Sequence, residues 1–539
     1  MLLMEVELMI PSFSIFVTFL VFLFMVLKIV KKTSKTSHTT LNLPPGPWKL
    51  PLIGNLHQLV VAGSLPHRGL RDLANKYGPL MHLQLGQLST VVVSSPKFAK
   101  QVMKTHDVTF ASRPSSLATN IMFYDATDIG FSPYGEYWRQ LRKICILELL
   151  SMKRVQSFRS IREEEVSNLI HWLGSKAGSP VNLSEKIHSL AYSVTSRAAF
   201  GKKCKDQDLF LSILKEGIRL ATDFNISDLF PSIKLLERIT GIKSQLERVH
   251  QESDRILENI INDHKKEKTT SETDKIEDLV DVLLKVQEHG IGNLDFPLTT
   301  NNVKAVILDI FTAGSETCAT TIDWAMSELM KNPNLMKKAQ EEVREVITRI
   351  GSVDETAIHE MRYLKLIIKE TLRLHPSIAM LLPRECGEKC VIDGFDIPIK
   401  TKVIVNAWAI GRDPEYWTEP ESFIPERFLD CDTDYKGSNF EYIPFGAGKR
   451  ICPGISFGIA SVELPLAMLL YHFDWKLPNG DLDMTEGFGV SVRRRDDLCL
   501  IPIPYINHPC ATLTTIAQIN VSLLLPPPNE ARLKKRSSL

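Results

Sequence analysis

Hydrophobic positions along the chain form two kinds of pattern, one uninterrupted apolar stretch near the start and many amphipathic stretches after it. Residues 8–27 carry no charge and are rich in Phe, Val and Leu. As a helix, such a stretch is long enough to cross the hydrocarbon core of a bilayer, which is about 30 Å thick. The pattern therefore predicts a membrane-spanning helix over residues 8–27.

Charged residues flank this stretch unevenly. Four lysines lie between Lys28 and Lys35, whereas Glu5 and Glu7 precede the stretch. Positively charged flanks stay on the cytosolic side of a membrane, and no small-residue cleavage pattern follows. We therefore predict an uncleaved single-pass anchor, with residues 1–43 as anchor and basic linker and the following domain in the cytosol.

Beyond the anchor, most periodic stretches have the helical period and a charged face. Helices are predicted at residues 154–176, 245–268, 275–288 and 332–349, and β-like runs at residues 81–85 and 91–93. These patterns predict a mainly α fold with a small β region. Residues 506–539 have no clear period and are predicted to be a loosely ordered C-terminal extension.

Composition narrows the class of protein. The chain has 539 residues, of which 44% are hydrophobic and 24% charged, as in a large globular protein. A net charge of +1 gives no electrostatic reason to expect nucleic acid binding. The nine cysteines form no close framework, which favours a reducing compartment with a few functional thiols.

One of those thiols lies in a glycine-rich loop, Phe445-Gly-Ala-Gly-Lys-Arg-Ile-Cys-Pro-Gly454, directly before an apolar helical run at residues 455–470. The start of a helix offers free N–H groups and a positive dipole end, which favour the thiolate of Cys452. Glycines allow the backbone to approach a flat ligand, and Arg450 places a cation beside any acid on it. The loop suits a haem iron. A simple core cysteine is the alternative, whereas a phosphate loop is excluded because Arg450 follows Lys449 where Ser or Thr is required.

This loop resembles the F-x-x-G-x-R-x-C-x-G signature of the cytochrome P-450 superfamily, matched by Phe445, Gly448, Arg450, Cys452 and Gly454. The resemblance covers residues 44–505 and begins at a proline-rich strap, Leu43-Pro-Pro-Gly-Pro-Trp-Lys-Leu-Pro51. It implies the family's fold, a single large haem domain of mostly helical structure behind the anchor. It also implies haem b as the cofactor, with Cys452 as the axial iron ligand and Phe445 and Gly446 in contact with the haem.

A second motif, Trp138-Arg-Gln-Leu-Arg142, lies in a helical stretch, so that Trp138 and Arg142 share one face. It resembles the family's W-x-x-x-R helix, which implies that Trp138 and Arg142 hold the haem propionates, joined by Arg450 and Arg384. Alone, the motif would be an ordinary amphipathic helix. Arg139 and Lys143 form the neighbouring pair, and we predict that they face the cytosol and dock the reductase.

A third motif, Ala313-Gly-Ser-Glu-Thr317, interrupts a long apolar helix predicted over residues 297–330. Thr317 can bond back to a carbonyl of the preceding turn, so a local bulge is expected. The stretch resembles the family's [A/G]-G-x-[D/E]-T pattern, which implies that Glu316 and Thr317 deliver protons for dioxygen cleavage. Cys318 stands where many plant members have Ser or Thr.

A fourth motif is Glu370-Thr-Leu-Arg373, which is a common i, i+3 ion pair when taken alone. Together with Pro425-Glu-Arg-Phe428, it resembles the family's buried triad, here Glu370, Arg373 and Arg427. Breaking a buried ionic network costs roughly 3–5 kcal/mol. The triad is therefore predicted to support the fold rather than the chemistry.

Within the superfamily, Leu52-Ile-Gly-Asn-Leu56 and Phe110-Ala-Ser-Arg-Pro114 resemble the plant microsomal group that oxidises terpenoids, alkaloids and flavonoids. The resemblance implies an endoplasmic reticulum membrane enzyme that inserts one oxygen atom from O2 into a small hydrophobic substrate. It also implies a pocket lined by Phe123, Ile310, Ala313, Ile378, Met380, Leu381, Leu382, Phe488 and Val490. Because this lining is apolar, a terpenoid is the preferred substrate, with a flavonoid or alkaloid as the alternative.

No G-x-G-x-x-G follows a predicted strand, so electrons must come from another protein. The resemblance implies NADPH as their source through a membrane-bound flavoprotein reductase, with a cytochrome b-type donor as a second source. Two other classes remain open from the sequence: a hydroperoxide isomerase or dehydratase of the same family, and a haem-binding protein without catalysis. Thr317 and the undisturbed spacing from Phe445 to Cys452 favour the monooxygenase.

Overall fold

The fold was analysed in a computed structural model that describes residues 41–61, 65–203, 207–222, 225–270, 277–289, 297–351, 354–487 and 489–505. The predicted anchor over residues 8–27 and the C-terminal extension over residues 506–539 lie outside the described residues. All positions of the predicted motifs lie inside them, except Phe488 of the predicted pocket.

Helices make up most of the described chain. In chain order they are α1 (Leu56–Val61), α2 (Pro66–Tyr77), α3 (Pro96–Lys100), α4 (Leu117–Met122), α5 (Glu136–Ile144), α6 (Met152–Ser157), α7 (Arg159–Ser175), α8 (Leu183–Phe200), α9 (Gln207–Thr222), α10 (Ile226–Leu229), α11 (Leu235–Ile239), α12 (Ile242–Thr270), α13 (Leu279–His289), α14 (Thr300–Lys331), α15 (Pro333–Ile350), α16 (Glu355–Ile358), α17 (Arg362–Leu374), α18 (Ala407–Ile410) and α19 (Ile455–His472). Single π-helical turns follow α3 and α5, and 3-10 turns form at Pro425–Phe428 and Gly448–Arg450.

Three small sheets accompany the helices. Strands β1 (Leu80–Leu85), β2 (Leu88–Val93), β7 (Lys402–Val405) and β4 (Arg384–Glu385) form a sheet in that order. Strands β3 (Val181–Asn182), β9 (Cys499–Pro504) and β8 (Phe473–Lys476) form the second, and β5 (Cys390–Ile392) with β6 (Phe395–Ile397) the third. The first sheet places Arg384 of β4 opposite Val403 of β7. The mainly α fold with a small β region is confirmed.

Helix α14 lies at the centre of the core. Its side chains join the largest cluster of buried apolar residues, together with residues of α7, α8, α17 and α19. Thr299 caps the helix, and its side chain accepts a hydrogen bond from the Asn302 amide, so the helix begins three residues later than predicted. It also continues through residues 313–317 without the expected bulge. The back-bonding hydroxyl of Thr317 is accommodated in regular helix.

Among the described residues, α19 is the one helix long and apolar enough to cross a membrane. More than half of its apolar window is buried inside the protein, and it packs against α14 and α7. Core helices of large proteins pass the same test of length and composition. The apolar character of α19 is therefore explained by the core, and it places the residues just before the helix at the centre of the molecule.

Candidate active site

Cys452 lies in the loop Phe445–Gly454, which is held by its own backbone. The Cys452 amide donates to the Phe445 carbonyl oxygen at 3.0 Å, and Gly446 and Gly448 have φ of +71° and +68°. Gly448 is required for packing rather than for a ligand, since a Cβ there would collide with the Met103 carbonyl. Helix α19 begins at Ile455 with Gly454 as its N-cap, where the apolar run predicted from the sequence begins.

The thiol of Cys452 lines a large internal cavity with a volume of about 380 Å³. Burial raises the pKa of Cys452, and this effect outweighs the Gly454 amide and the Arg142 guanidinium, which both lower it. The helix start alone therefore does not produce the thiolate predicted from the sequence. A metal ion bound to the sulfur reverses this balance, because a coordinating thiol is deprotonated.

Four arginines line one side of this cavity: Arg113, Arg142, Arg384 and Arg450. Burial lowers the pKa of Arg450 to about 9, helped by repulsion from Arg384 and Arg142. Burial likewise lowers the pKa of Arg384 to about 10. Cations collected in a buried cavity require anions, since an unpaired buried charge is costly. The cavity is therefore suited to a ligand that carries carboxylates.

These arginines differ in how fully their donors are used. Arg450 donates to the carbonyl oxygens of Ala111, Ile129 and Ser132. Arg142 makes one such bond, from Nη2 to the Ile451 carbonyl at 2.6 Å. A guanidinium has five N–H groups, so Arg142 keeps the most donors for a ligand in this set.

Trp138 lies beneath these cations rather than at the cavity wall. Its Nε1 donates to the Ile129 carbonyl at 3.0 Å, and its ring is stacked by Arg450 at 4.0 Å and Arg142 at 5.4 Å. The side chain is 2% exposed. In this structure Trp138 contacts two arginines through cation–π interactions, and its predicted bond to a haem propionate stays a prediction.

The two predicted proton-delivery residues lie on different faces of α14. Thr317 lines the cavity, and its hydroxyl donates to the Ala313 carbonyl at 2.7 Å, as its sequence position predicted. Glu316 is not among the residues lining the cavity in the described structure. Its carboxylate accepts from the Tyr192 hydroxyl at 3.2 Å and lies 3.6 Å from Nδ1 of His188, both on α8.

Most of the predicted substrate pocket lies at this cavity. Its lining includes Phe123, Ile310, Ala313, Ile378, Leu381, Leu382 and Val490, together with Phe445 and Gly446 of the cysteine loop. Met380 differs from the expectation, because it packs against Leu70, Met81 and Leu83 beside the first sheet. Leu381, the next residue, lines the cavity and has φ of +48°. Phe488 lies outside the described residues.

The residues predicted as a triad meet away from the cavity. Glu370 accepts from Arg373 at 2.8 Å and from Arg427 at 3.0 Å. Glu370 is fully buried and Arg373 is 1% exposed. The remaining donors of Arg373 reach the carbonyls of Gly411, Pro420 and Ser422. The triad thus joins α17 to the segment that leads into the cysteine loop.

Sequence reasoning missed three charged residues at the cavity. Arg113 and Asp309 line it, and Asp128 lies behind Asp309. Asp309 could have been found as the one acid in the otherwise apolar run from Ala305 to Phe311 of α14. Arg113 was present in the Phe110-Ala-Ser-Arg-Pro114 motif, but nothing in that pattern indicated where the side chain would point.

The fold and the cavity together define a class of protein, a helical enzyme with a buried thiol facing a carboxylate-binding, otherwise apolar cavity. A family model described as Cytochrome P450 matches residues 44–499. The chain belongs to the cytochrome P450 family. It is accordingly a haem-dependent monooxygenase of plant specialised metabolism, and members of the family use O2 with electrons from a redox partner.

Relatives and solved structures agree with this assignment. Cytochrome P450 71D11 from Lotus japonicus is 60% identical over 87% of this chain and 96% of its own length. Premnaspirodiene oxygenase from Hyoscyamus muticus is 54% identical over 86% and 93%, and tabersonine 16-hydroxylase 2 from Catharanthus roseus is 55% identical over 87% and 93%. A zebra fish cytochrome P450 solved with abiraterone has a TM-score of 0.69 at 25% identity, covering 82% of this chain and 99% of its own.

The residues present fit a haem. Cys452 offers a sulfur ligand in the cavity, and the arginines on one side supply more positive charge than the carboxylates they contact. The two propionates of a haem are anions of the required kind. Cys452 would hold the iron, Arg142 and Arg384 would bind the propionates, and Phe445 and Gly446 would face the ring.

Proposed function

We propose that this monooxygenase hydroxylates or epoxidises a hydrophobic plant specialised metabolite, with a terpenoid as the preferred substrate class. The apolar lining opposite the arginines carries this proposal. Phe123, Ile310, Ile378, Leu382 and Val490 offer a substrate hydrocarbon contact and no hydrogen bonds from their side chains. A carbon skeleton with few polar groups loses least on entering such a cavity.

The names of relatives span premnaspirodiene, tabersonine and desmethyl-deoxy-podophyllotoxin. Relatedness alone therefore does not choose the substrate, and the choice rests on the lining. A flavonoid or alkaloid is the alternative, favoured by the polar groups of Thr119, Asp309 and Ser377 at the same cavity. A hydroperoxide isomerase or dehydratase is the more distant alternative.

Two residues of α14 support the monooxygenase chemistry. Haem held by Cys452 supplies O2 activation and oxygen insertion, with electrons from NADPH through a flavoprotein reductase or a cytochrome b-type donor. The Thr317 hydroxyl is fixed at the cavity because it donates to the Ala313 carbonyl, which leaves its oxygen as an acceptor facing the cavity. Glu316 would pass protons to it from Tyr192 and His188 behind the helix.

The cellular setting is proposed from the sequence. Residues 8–27 would anchor the enzyme in the endoplasmic reticulum membrane with its catalytic domain in the cytosol. The reductase would dock on the patch formed by Arg139, Lys143 and Lys449, whose side chains are exposed. Because this enzyme and the reductase would be anchored in the same membrane, they would find each other by diffusion within the plane of the bilayer.

The test is turnover by microsomes that contain the full-length protein, a plant reductase and NADPH. Panels of terpenoid hydrocarbons, flavonoids and alkaloids would be compared by product formation, with Cys452→Ser as the inactive control. Oxygenated terpenoid products that require O2, NADPH and Cys452 are the expected result. Turnover of flavonoids or alkaloids with no terpenoid product would replace the proposed substrate class. Conversion of a hydroperoxide without NADPH would replace the reaction.

A further inference from the structure

A short loop over residues 128–132, here called the clamped loop, connects the substrate side of the cavity to its arginine side. Its amide groups point toward two carboxyl groups. Asp309 Oδ2 accepts from the amides of Ile129 at 3.1 Å and Gly130 at 2.8 Å. Asp128 Oδ2 accepts from the amides of Gly130 at 3.1 Å and Phe131 at 3.0 Å. The Gly130 amide is thus shared between the two carboxyl groups.

The carbonyl groups of the same loop are bound by cations and by an indole. The Gly130 carbonyl accepts from Arg113, the Ile129 carbonyl from Trp138 and Arg450, and the Ser132 carbonyl from Arg450. The amides of the clamped loop therefore bind two acids, its own Asp128 and Asp309 of α14, and its carbonyls bind two arginines. Its position couples α14 to Arg450, which belongs to the cysteine loop.

The two carboxyl groups are close enough to require a proton. Both accept the same Gly130 amide, and Asp128 and Asp309 are also within hydrogen-bonding reach of each other. Asp128 is 0% exposed, and its Oδ1 has no donor among the described protein groups. Ionised carboxylates are acceptors only, so two of them cannot bond to each other. One proton between the two carboxyl groups removes the repulsion of two buried anions.

We propose that Asp128 and Asp309 share one proton and act as positioning residues that hold the clamped loop, and with it the aromatic wall of the substrate cavity, against α14. Phe131 of this loop and Phe123 line the cavity and lie 5.3 Å apart between ring centres. The proposal concerns the shape of the cavity and does not depend on which substrate class is correct.

The chain before the clamped loop shows why a clamp is needed. Tyr124, Asp125 and Ala126 have φ of +50°, +59° and +53°. Consecutive non-glycine residues in the left-handed region are unfavourable and persist only where surrounding contacts hold them. Tyr124 is held by its hydroxyl bond to Asp254, and the acid pair holds the following segment. Without the pair, the strained segment would relax and move Phe123 and Phe131.

The state of the pair depends on pH in a defined direction. Burial raises the pKa of Asp309, and burial together with the Asp309 charge raises the pKa of Asp128. The neighbouring ionisable groups are Arg113, Arg450, Tyr137, Cys145 and Cys452. Among these groups the two arginines favour ionisation of the pair, as do the amides of the clamped loop. An acid whose pKa is raised in the folded state loses its stabilising contribution as pH rises through that pKa, so the clamp weakens as the pair loses its shared proton.

Hydrogen–deuterium exchange of the haem-loaded enzyme tests the clamp. Amides of the clamped loop are expected to exchange at least about tenfold faster in Asp309→Leu, the ratio expected when bonds to a charged group are lost. Asp309→Asn keeps an acceptor for the amides and a donor for Asp128, so protection should be retained. Asp323→Asn is the matched control, because Asp323 is a buried acid of the same helix that accepts from Ser184.

The shared proton has its own signature. The infrared difference spectrum of wild type minus Asp309→Asn, both at neutral pH, should contain the carbonyl band of a protonated carboxylic acid. Corrected for intrinsic exchange, protection of the clamped loop in wild type should fall from pH 7 to pH 9, whereas that of Asp309→Asn should not. Absence of the acid band, or equal protection in Asp309→Leu and wild type, overturns the proposal.

An inhibitor provides a functional readout apart from turnover. Clotrimazole is a large azole that must fit beside the aromatic wall, whereas imidazole is too small to reach it. Asp309→Leu is expected to weaken clotrimazole binding about tenfold while leaving imidazole binding unchanged, both measured by the shift of the haem absorption band. Equal losses for both ligands would place the effect at the haem and contradict a role in shaping the cavity.

Discussion

Two buried clusters of charge, one around Glu370 and one around the cavity arginines, are built from the same residue types but completed differently. In the first, Arg373 donates to both oxygens of Glu370 and to three backbone carbonyls. Arg427 also reaches Glu370 and the carbonyls of Thr418 and Glu419. Every partner this cluster needs comes from the chain itself.

The cavity cluster is left incomplete by the chain. Its four guanidiniums meet Asp107, which is 3.5 Å from Arg384, and the Asp128–Asp309 pair. If that pair holds one proton, as proposed, it carries one negative charge, so two positive charges remain. A haem has two propionates. A buried ionic cluster closed by its own chain therefore maintains the fold, whereas an open one indicates the charge of the missing ligand.

The largest effect is expected from removing the carboxylate at the centre of the Glu370 cluster. Glu370→Ala leaves Arg373 and Arg427 buried without their anion, which should reduce the free energy of unfolding by about 3–5 kcal/mol. Loss of soluble haem-loaded protein and a lower thermal midpoint would measure this. Glu426→Ala is the control, because Glu426 lies in the same 3-10 turn as Arg427 but outside the triad. Its carboxylate is partly exposed and bonds to Lys338 and Tyr363. Similar losses in both variants would mean that the turn, not the ionic cluster, is sensitive.

A smaller effect is expected from removing one charge of the open cluster. Arg142→Leu should keep the fold but lower haem affinity about tenfold, because a hydrogen bond to a charged group is worth about 1.5–3 kcal/mol. The measurement is the rate of haem transfer to an apo-globin acceptor. Arg139→Leu, on the exposed face of the same helix, is the control. Unchanged haem transfer in Arg142→Leu would show that the open cluster does not bind the propionates.

The same distinction explains what could be predicted from the sequence. Cys452, Thr317 and the residues of the Glu370 triad were predicted because each lies in a short motif that resembles a pattern of the family. The fold class followed from helical periodicity, and α12 and α15 lie close to their predicted positions. Met380 was misplaced because no local pattern indicates which of two neighbouring apolar side chains, Met380 or Leu381, faces the cavity. Asp128 and Asp309 were missed because their contact joins residues far apart in the chain.

The hydroxyl of Thr317 is bonded on one side by its own helix and faces the cavity on the other. Its proton is bound by the Ala313 carbonyl, and its oxygen faces the cavity. Thr317→Ala should leave haem bound but lower product formation about 100-fold, at the low end of proton-transfer contributions, while NADPH oxidation continues. Thr317→Ser keeps the hydroxyl and should restore the ratio of product to NADPH. A normal ratio in Thr317→Ala would exclude the proposed role.

An effect confined to low salt is expected from charges that are open to solvent rather than to the cavity. Lys143 is exposed on α5, and Arg139 on the same face pairs with Glu136, so Lys143 carries more of the attraction for an acidic partner. The bond from Arg142 to the Ile451 carbonyl brings this helix to the loop that carries Lys449.

Lys143→Glu should therefore slow reduction by the reductase about tenfold at low salt, within the range of electrostatic steering. At 1 M salt the Debye length is only about 3 Å, so the reduction rates of Lys143→Glu and wild type should converge there. Lys337→Glu, an exposed charge on α15, is the control. Stopped-flow reduction rates that are equal for Lys143→Glu and wild type at low salt would place the docking surface elsewhere, and a difference that persists at high salt would mean that the substitution acts through the fold.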